Sequence, residues 1–166
     1  MATENPDARR IGSPAEAGTQ EELLENILRQ LAALNDEIRK ANLIQLHRIM
    51  ADQTGRALGD PALAEAMSTL PGLSESRRRQ VLFVNAQYSA ILLHHRLGAF
   101  DWEELIGYLR VWCSNAVFQD YWDMTGDARR ALARESLEAR VGRAVDEMME
   151  EIASGREWWV VGSSGE

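Results

Sequence analysis

The chain has 166 residues, of which 45% are hydrophobic, and its formal net charge is −8. This length is sufficient for one domain with a real core. The acidic balance argues against nucleic acid as a partner and against docking on anionic lipid, because both surfaces attract basic proteins.

Cysteine content and apolar run length indicate the compartment. Cys113 is the only cysteine in the chain, so no intramolecular disulfide can form, which fits a reducing environment. The N-terminal residues lack the apolar segment of a signal peptide, and the longest apolar runs are too short to span a membrane. We therefore expect a cytoplasmic protein with no membrane partner.

Ala, Leu, Glu and Arg dominate the sequence, and alternating runs of Val, Ile and Thr are missing. These residues favour helices. We predict an all-α protein, a bundle of about five or six helices with a long, partly coiled-coil-like N-terminal helix.

The first predicted helix is long. Residues 1–18 show no periodicity and are rich in Ala, Glu, Pro, Gly and Ser, which is typical of a disordered arm. Thr19 can cap a helix, with Glu22 completing a capping box. No proline follows before Pro61, so the helix is expected to extend to about Leu58.

Residues 19–42 carry apolar side chains at alternating spacings of three and four, which is the pattern of a coiled-coil seam. The five candidate self-association residues are Leu24, Ile27, Leu31, Leu34 and Ile38. Ala41 takes the next position, after which the stripe moves to Leu43, Leu46 and Met50. The seam predicts a homodimer. A run this short also fits a stripe that folds back on the chain's own body.

Residues 43–162 are predicted to form a helical domain, followed by a flexible tail at 163–166. Asp60 and Pro61 indicate the start of a short helix that ends at Pro71 and Gly72. Ser74 or Ser76 begins a long helix that is closed by Gly98. Because this helix is apolar on most sides, it is expected to be central.

Three further helical segments follow in the predicted domain. Asp101 and Glu104 form a capping box at the start of the first. A short helix is expected from Asn115 to Thr125, followed by a weak helical turn. Ser136 begins the last amphipathic helix, which ends near Ser154.

Polar groups and one tryptophan within the apolar stripes form a candidate pocket. Its residues are Asn85, Tyr88, Arg110, Trp112 and Tyr121. Buried polar groups need hydrogen-bond partners. They can bond to one another or to the backbone, or they can line a small-molecule pocket between helices.

The histidines and the cysteine do not form a recognisable metal site. Adjacent helical residues such as His94 and His95 point about 100° apart and cannot readily share one ion. We expect His95 to be half-buried, His94 to lie at the surface and Cys113 to be a structural thiol. No metal or cofactor is predicted.

One basic cluster and one apolar tail remain. Arg77–Arg79 lie in the first turns of a helix, where cations are disfavoured, so acidic partners are expected, either on the last helix or on another protein.

Trp158 and Trp159 are predicted to dock in a groove of the helical body, because exposed tryptophans are an aggregation hazard. The alternative is a partner-binding patch.

Four stretches carry a family resemblance: "NAQYSAILLHHRLG", "LRVWCSNAVFQDYW", "SLEARVGRAVDEMM" and "EWWVVG". In that order and spacing they resemble an actinobacterial family catalogued as domain of unknown function 6082, over about residues 43–162. The resemblance implies no activity. Many members carry membrane-spanning helices ahead of this region, whereas this chain has the heptad-patterned helix.

The sequence contains no Gly-rich phosphate loop, nucleophile–base pair or paired acidic motif. We therefore expect no enzymatic activity. The preferred hypothesis is a non-enzymatic cytoplasmic protein-interaction or regulatory module. The alternative is a small-molecule-binding helical protein or enzyme accessory with a pocket between helices.

Overall fold

The computed structural model describes residues 14–154, with side chains from residue 18 onward. This part of the chain contains only helices, and the all-α prediction is confirmed. The elements are α1 (Pro14–Gly59), α2 (Pro61–Met67), α3 (Glu75–Arg96), α4 (Trp102–Cys113), α5 (Ala116–Met124), α6 (Gly126–Arg130) and α7 (Leu137–Ala153).

The long N-terminal helix is present, but its predicted start at Thr19 is wrong. Helix α1 already begins at Pro14, inside the segment that was expected to be disordered. Proline is tolerated in the first turn of a helix, and the alanines and glutamates after it are good helix formers. Thr19 therefore lies within the helix and does not cap it.

The chain divides into two compact units, Met1–Asn42 and Leu43–Glu166. The boundary falls within α1, at the point where the heptad spacing breaks after Ala41. We call the first the N-terminal unit and the second the helical body. In the described residues the N-terminal unit consists of one helical segment, whereas the body contains several packed helices.

Local capping signals position the helices of the body. The Asp60 carboxylate accepts hydrogen bonds from two backbone N–H groups at the start of α2, and Asp101 and Glu104 form the predicted capping box of α4. Gly98 has a φ of 76°, a left-handed conformation that favours glycine. The predicted end of α2 at Pro71 is wrong, since that helix stops at Met67.

The core of the body lies between four helices. Helix α4 packs against α7, and α3 packs against both α5 and α4. The fully buried side chains of this core include Leu105, Leu109, Phe118, Val141 and Val145. A smaller cluster joins the end of α1 to α2 and α3 through Ala57, Ala64 and Leu82.

Helix α3 is less enclosed than its composition suggests. One face, including Val84 and Leu92, is buried in the core. Phe83 on the other side remains 52% exposed, so the expectation of a helix buried on most sides is wrong there. Helix α3 packs mainly against α2, α4 and α5, which leaves one of its sides toward solvent.

Candidate functional site

The five predicted self-association residues lie on the surface of α1. Leu24 is 59% exposed and Ile38, the least exposed of them, is 51% exposed. The N-terminal unit has no second helix in its described residues with which it could bury this face. We call Leu24, Ile27, Leu31, Leu34 and Ile38 the seam.

Two leucines that the heptad pattern did not include widen the seam. Leu23 and Leu28 are both more than half exposed and lie next to Leu24 and Ile27 on the helix. They occupy the positions that flank a coiled-coil core, where apolar residues broaden the contact face. Their adjacency to the seam at helical spacing was visible in the sequence.

Charged side chains beyond the seam are paired within the same helix. Lys40 forms ion pairs with Asp36 and Glu37, both at 2.9 Å, and Arg39 pairs with Asp36 at 3.0 Å. The hydrogen bond from Lys40, followed by that from Arg39, lowers the pKa of Asp36 below its usual value. These pairs make the other side of the helix polar, which leaves the seam as its apolar side.

The helical body contains a cavity of about 470 Å³. That volume lies within the range of about 300–1,000 Å³ that is typical of small-molecule sites. Its apolar wall includes Leu46 and Met50 of α1, together with Leu82 and Leu92 of α3. We call it the body cavity.

Three of the five predicted pocket residues line the body cavity: Asn85, Tyr88 and Tyr121. The Tyr121 hydroxyl donates to the Asn85 side-chain oxygen at 2.8 Å. Burial raises the pKa of Tyr121 to about 12, and burial also raises the pKa of Tyr88. Both phenols are therefore neutral hydrogen-bonding groups at physiological pH.

The other two predicted pocket residues do not line the cavity. Arg110 forms an ion pair with Glu151 of α7 at 3.1 Å. Trp112 packs edge-on against Phe118, with ring centroids 5.6 Å apart. Both belong to α4, and no residue of that helix lines the cavity. The body cavity therefore does not include these two residues.

Arg129 of α6 is a cavity residue that the sequence did not reveal. Its guanidinium lies 3.6 Å from the centroid of the Trp122 ring and donates to the Thr125 hydroxyl at 2.7 Å. Asp146 then accepts from the Trp122 indole N–H at 2.6 Å and pairs with Arg129 at 3.4 Å. The segment was predicted only as a weak turn, and no local pattern marks this cation as a packing residue.

The basic cluster of α3 has acidic partners within the chain. Arg77 pairs with Asp120 of α5, and Arg79 pairs with Glu75 of its own helix. Arg78 donates to the Leu73 carbonyl at 3.4 Å. The last helix, which was one expected source of partners, pairs instead with Arg96, Arg110 and Arg129.

The histidines and the cysteine have the surroundings that were predicted. His95 is half-buried, with its Nδ1 at 3.0 Å from the Phe100 carbonyl, while His94 is exposed. Cys113 is completely buried, and burial raises the pKa of its thiol to about 11. Among the described residues, no group of three or more His, Cys, Asp or Glu side chains could hold a metal ion.

Two predictions concern other parts of the chain. The docking residues Trp158 and Trp159 lie outside the described residues, as does the predicted tail at 163–166. Within residues 14–154, no helix is both long and apolar enough to cross a membrane.

A family comparison covers nearly the whole chain. Residues 9–159 match a family described as "Family of unknown function (DUF6082)". The match includes the seam, which the resemblance over residues 43–162 had left outside. No curated protein and no solved structure matches the chain significantly. Since the matched region is far more than half of the sequence, the chain belongs to the DUF6082 family, whose function is unknown.

Proposed function

We propose that this protein is a non-enzymatic cytoplasmic interaction module that self-associates, as a dimer, through the seam of α1. The observation that carries the proposal is the exposure of all five seam residues, each more than half accessible to solvent. Large contiguous apolar surfaces are uncommon on monomeric proteins and mark interaction sites.

The spacing of the seam favours a second copy of the same helix as its partner. Side chains at alternating spacings of three and four form knobs that fit the holes of an identical helix. Leu31 lies at the centre of the run, with Leu24 and Ile38 one heptad away on either side. A pattern of this kind is self-complementary and needs no other protein to bury it.

The expected affinity is moderate. Full burial of a Leu or Ile contributes about 1.5–3 kcal/mol, so a side chain that is already half covered gains roughly half of that. Association costs about 4–15 kcal/mol in translational and rotational freedom. The ten seam side chains of a dimer gain roughly 8–15 kcal/mol in this way. A micromolar dissociation constant needs a surplus of about 8 kcal/mol, so reversible micromolar association requires that the cost lie near the lower end of its range.

Two double variants of the full chain test the role of the seam. Leu31→Lys with Leu34→Lys places charge on the seam, while Asn26→Lys with Ala33→Lys adds the same charge on the other side of α1. Light scattering at tens of micromolar should show oligomers for the unmodified chain and the control, and monomers for the seam variant. Equal masses for the two variants would contradict the proposal. The proposal would also be contradicted by a seam variant whose melting temperature falls while its mass stays that of the unmodified chain. That result would indicate that the seam packs against its own chain.

A second candidate function is the binding of a small molecule in the body cavity. It is supported by the convergence of Asn85, Tyr88 and Tyr121 on one cavity with apolar walls. Ligand-observed magnetic resonance with a fragment library tests it. Fragments should bind competitively with one another, whereas uniformly weak, non-competitive contacts would speak against a defined site.

A further inference from the structure

Several polar side chains of the body cavity have no hydrogen-bond partner in the described residues. They include His47 of α1 and both Tyr88 and Ser89 of α3. Tyr88 is 8% exposed, and its hydroxyl is buried without a hydrogen bond within residues 14–154. A buried polar group without a partner is costly, and most such groups in proteins are hydrogen-bonded. The cavity therefore offers hydrogen-bonding capacity that the fold itself does not use.

The charged groups of the same wall are already neutralised. Arg96 forms an ion pair with Glu138, and Arg129 pairs with Asp146 at 3.4 Å. Thr125 donates its hydroxyl to the Tyr121 carbonyl at 2.8 Å. A charged ligand would lose its hydration without gaining an unpaired counter-charge, which is strongly unfavourable.

The rest of the wall is apolar and partly open to water. Leu46 is 56% exposed, Met50 is 55% exposed and Met67 is 41% exposed. Leu46 and Met50 lie on α1 and Met67 lies on α2, and all three line the same cavity as the polar groups of α3. An apolar ligand would remove this surface from water and gain the corresponding hydrophobic free energy.

We infer that the body cavity binds a small uncharged amphipathic molecule, with an apolar chain or ring system and a hydroxyl or carbonyl head group. The apolar part contacts Leu46, Met50 and Met67, and the head group bonds to polar side chains of the wall that include Ser89. This inference rests on the second candidate function.

Competition against a neutral fluorescent probe tests the ligand class. Prodan is uncharged, carries a carbonyl group, and shifts its emission to shorter wavelength in an apolar site. Decanol should displace it from the full chain at least tenfold more effectively than decanoate at neutral pH, because the two differ mainly in head-group charge. Equal or stronger displacement by decanoate would overturn the inference.

Substitutions on α3 locate the site. Ser89→Leu fills part of the cavity and should weaken prodan and decanol binding at least tenfold. Gln87→Leu makes a comparable change on the exposed part of the same helix, away from the cavity, and should leave binding unchanged. Ser89→Ala keeps the space open and should weaken decanol a few-fold while leaving decane unaffected.

The outcomes separate the ligand class from the site. If decanoate binds best and Ser89→Leu still abolishes binding, the uncharged ligand class is wrong while the cavity remains a binding site. If neither compound displaces prodan, or if Ser89→Leu and Gln87→Leu behave alike, both this inference and the second candidate function fail.

Discussion

The N-terminal unit and the helical body use the same aliphatic residues with opposite results. Leu109 of α4 is completely buried, whereas Leu31 of α1 is 55% exposed. Leu109 belongs to a core that is built from four helices, while the N-terminal unit offers one helix in its described residues. The comparison shows that an apolar stripe is buried or stays exposed according to how many helices are available to cover it. Within the body the stripe builds a core, and in the N-terminal unit it forms a surface.

The largest expected effect comes from making the same substitution in both regions. Leu109→Ala should destabilise the protein by about 2–5 kcal/mol, because it removes buried methyl groups and leaves a cavity. Leu31→Ala should change the unfolding free energy of the monomer by less than about 0.5 kcal/mol at low protein concentration. Urea unfolding at sub-micromolar concentration measures both. Similar losses would mean that the seam is already buried within one chain.

Removal of the Asp146 carboxylate should have the next largest effect. Asp146→Ala leaves the buried Trp122 indole N–H without its acceptor and Arg129 without its counter-charge, which costs about 1–3 kcal/mol. Glu147→Ala on the same helix is exposed and serves as the control. The melting temperatures of the two variants are compared. Equal values would show that the contacts of Asp146 with Trp122 and Arg129 contribute no stability.

Alkaline pH should weaken the body. Burial raises the pKa of Cys113 from 9.0 to about 11 and that of Tyr121 from 10.0 to about 12. Between the unfolded and folded pKa values, the unfolded chain releases protons that the folded chain retains. The unfolding free energy should therefore fall from about pH 9 upward, by up to about 1.4 kcal/mol per pH unit for each group.

Urea titrations at a series of pH values between neutral and strongly alkaline follow this loss. Tyr121→Phe removes one of the groups, so its unfolding free energy should fall less steeply with pH than that of the unmodified chain. An identical slope in the two proteins would show that Tyr121 does not contribute. The described residues of the N-terminal unit from Gly18 to Asn42 contain neither tyrosine nor cysteine, so the difference in slope between the two proteins reports on the body.

The smallest expected effect is at a helix start. Asp101→Ala removes the side chain that caps α4 and half of its capping box, which costs about 1 kcal/mol. Asp101→Asn retains a hydrogen-bond acceptor, so it should lose only part of the stability that the Ala variant loses. Melting temperatures rank the three proteins, and a full loss in the Asn variant would point to charge rather than to the hydrogen bond.

Local signals in the sequence predicted the helix boundaries well. Asp60, Ser74, Asp101, Asn115 and Ser136 all cap the helices that follow them. A cap depends on residues within one turn, so the information is contiguous in the chain. The start of α1 was missed because Thr19 resembles a cap, although the residues before it can also continue a helix.

The sequence predicted three residues of the body cavity, Asn85 and Tyr88 on α3 and Tyr121 on α5. Asn85 and Tyr88 are three residues apart on α3 and therefore share a face. Arg110 and Trp112 were assigned to the same pocket without knowledge that α4 lies away from the cavity. Arg129 was missed because its contact with Trp122 depends on the placement of α6. Positions that depend on how helices pack cannot be predicted from the periodicity of a single helix.

The most direct test of the account is the mass of the unmodified chain as a function of its concentration. Sedimentation equilibrium from sub-micromolar to a hundred-fold higher concentration provides it. We expect the mass to rise from the monomer value of 18.6 kDa toward twice that value, with the transition in the micromolar range. A constant mass of 18.6 kDa throughout would contradict self-association through the seam.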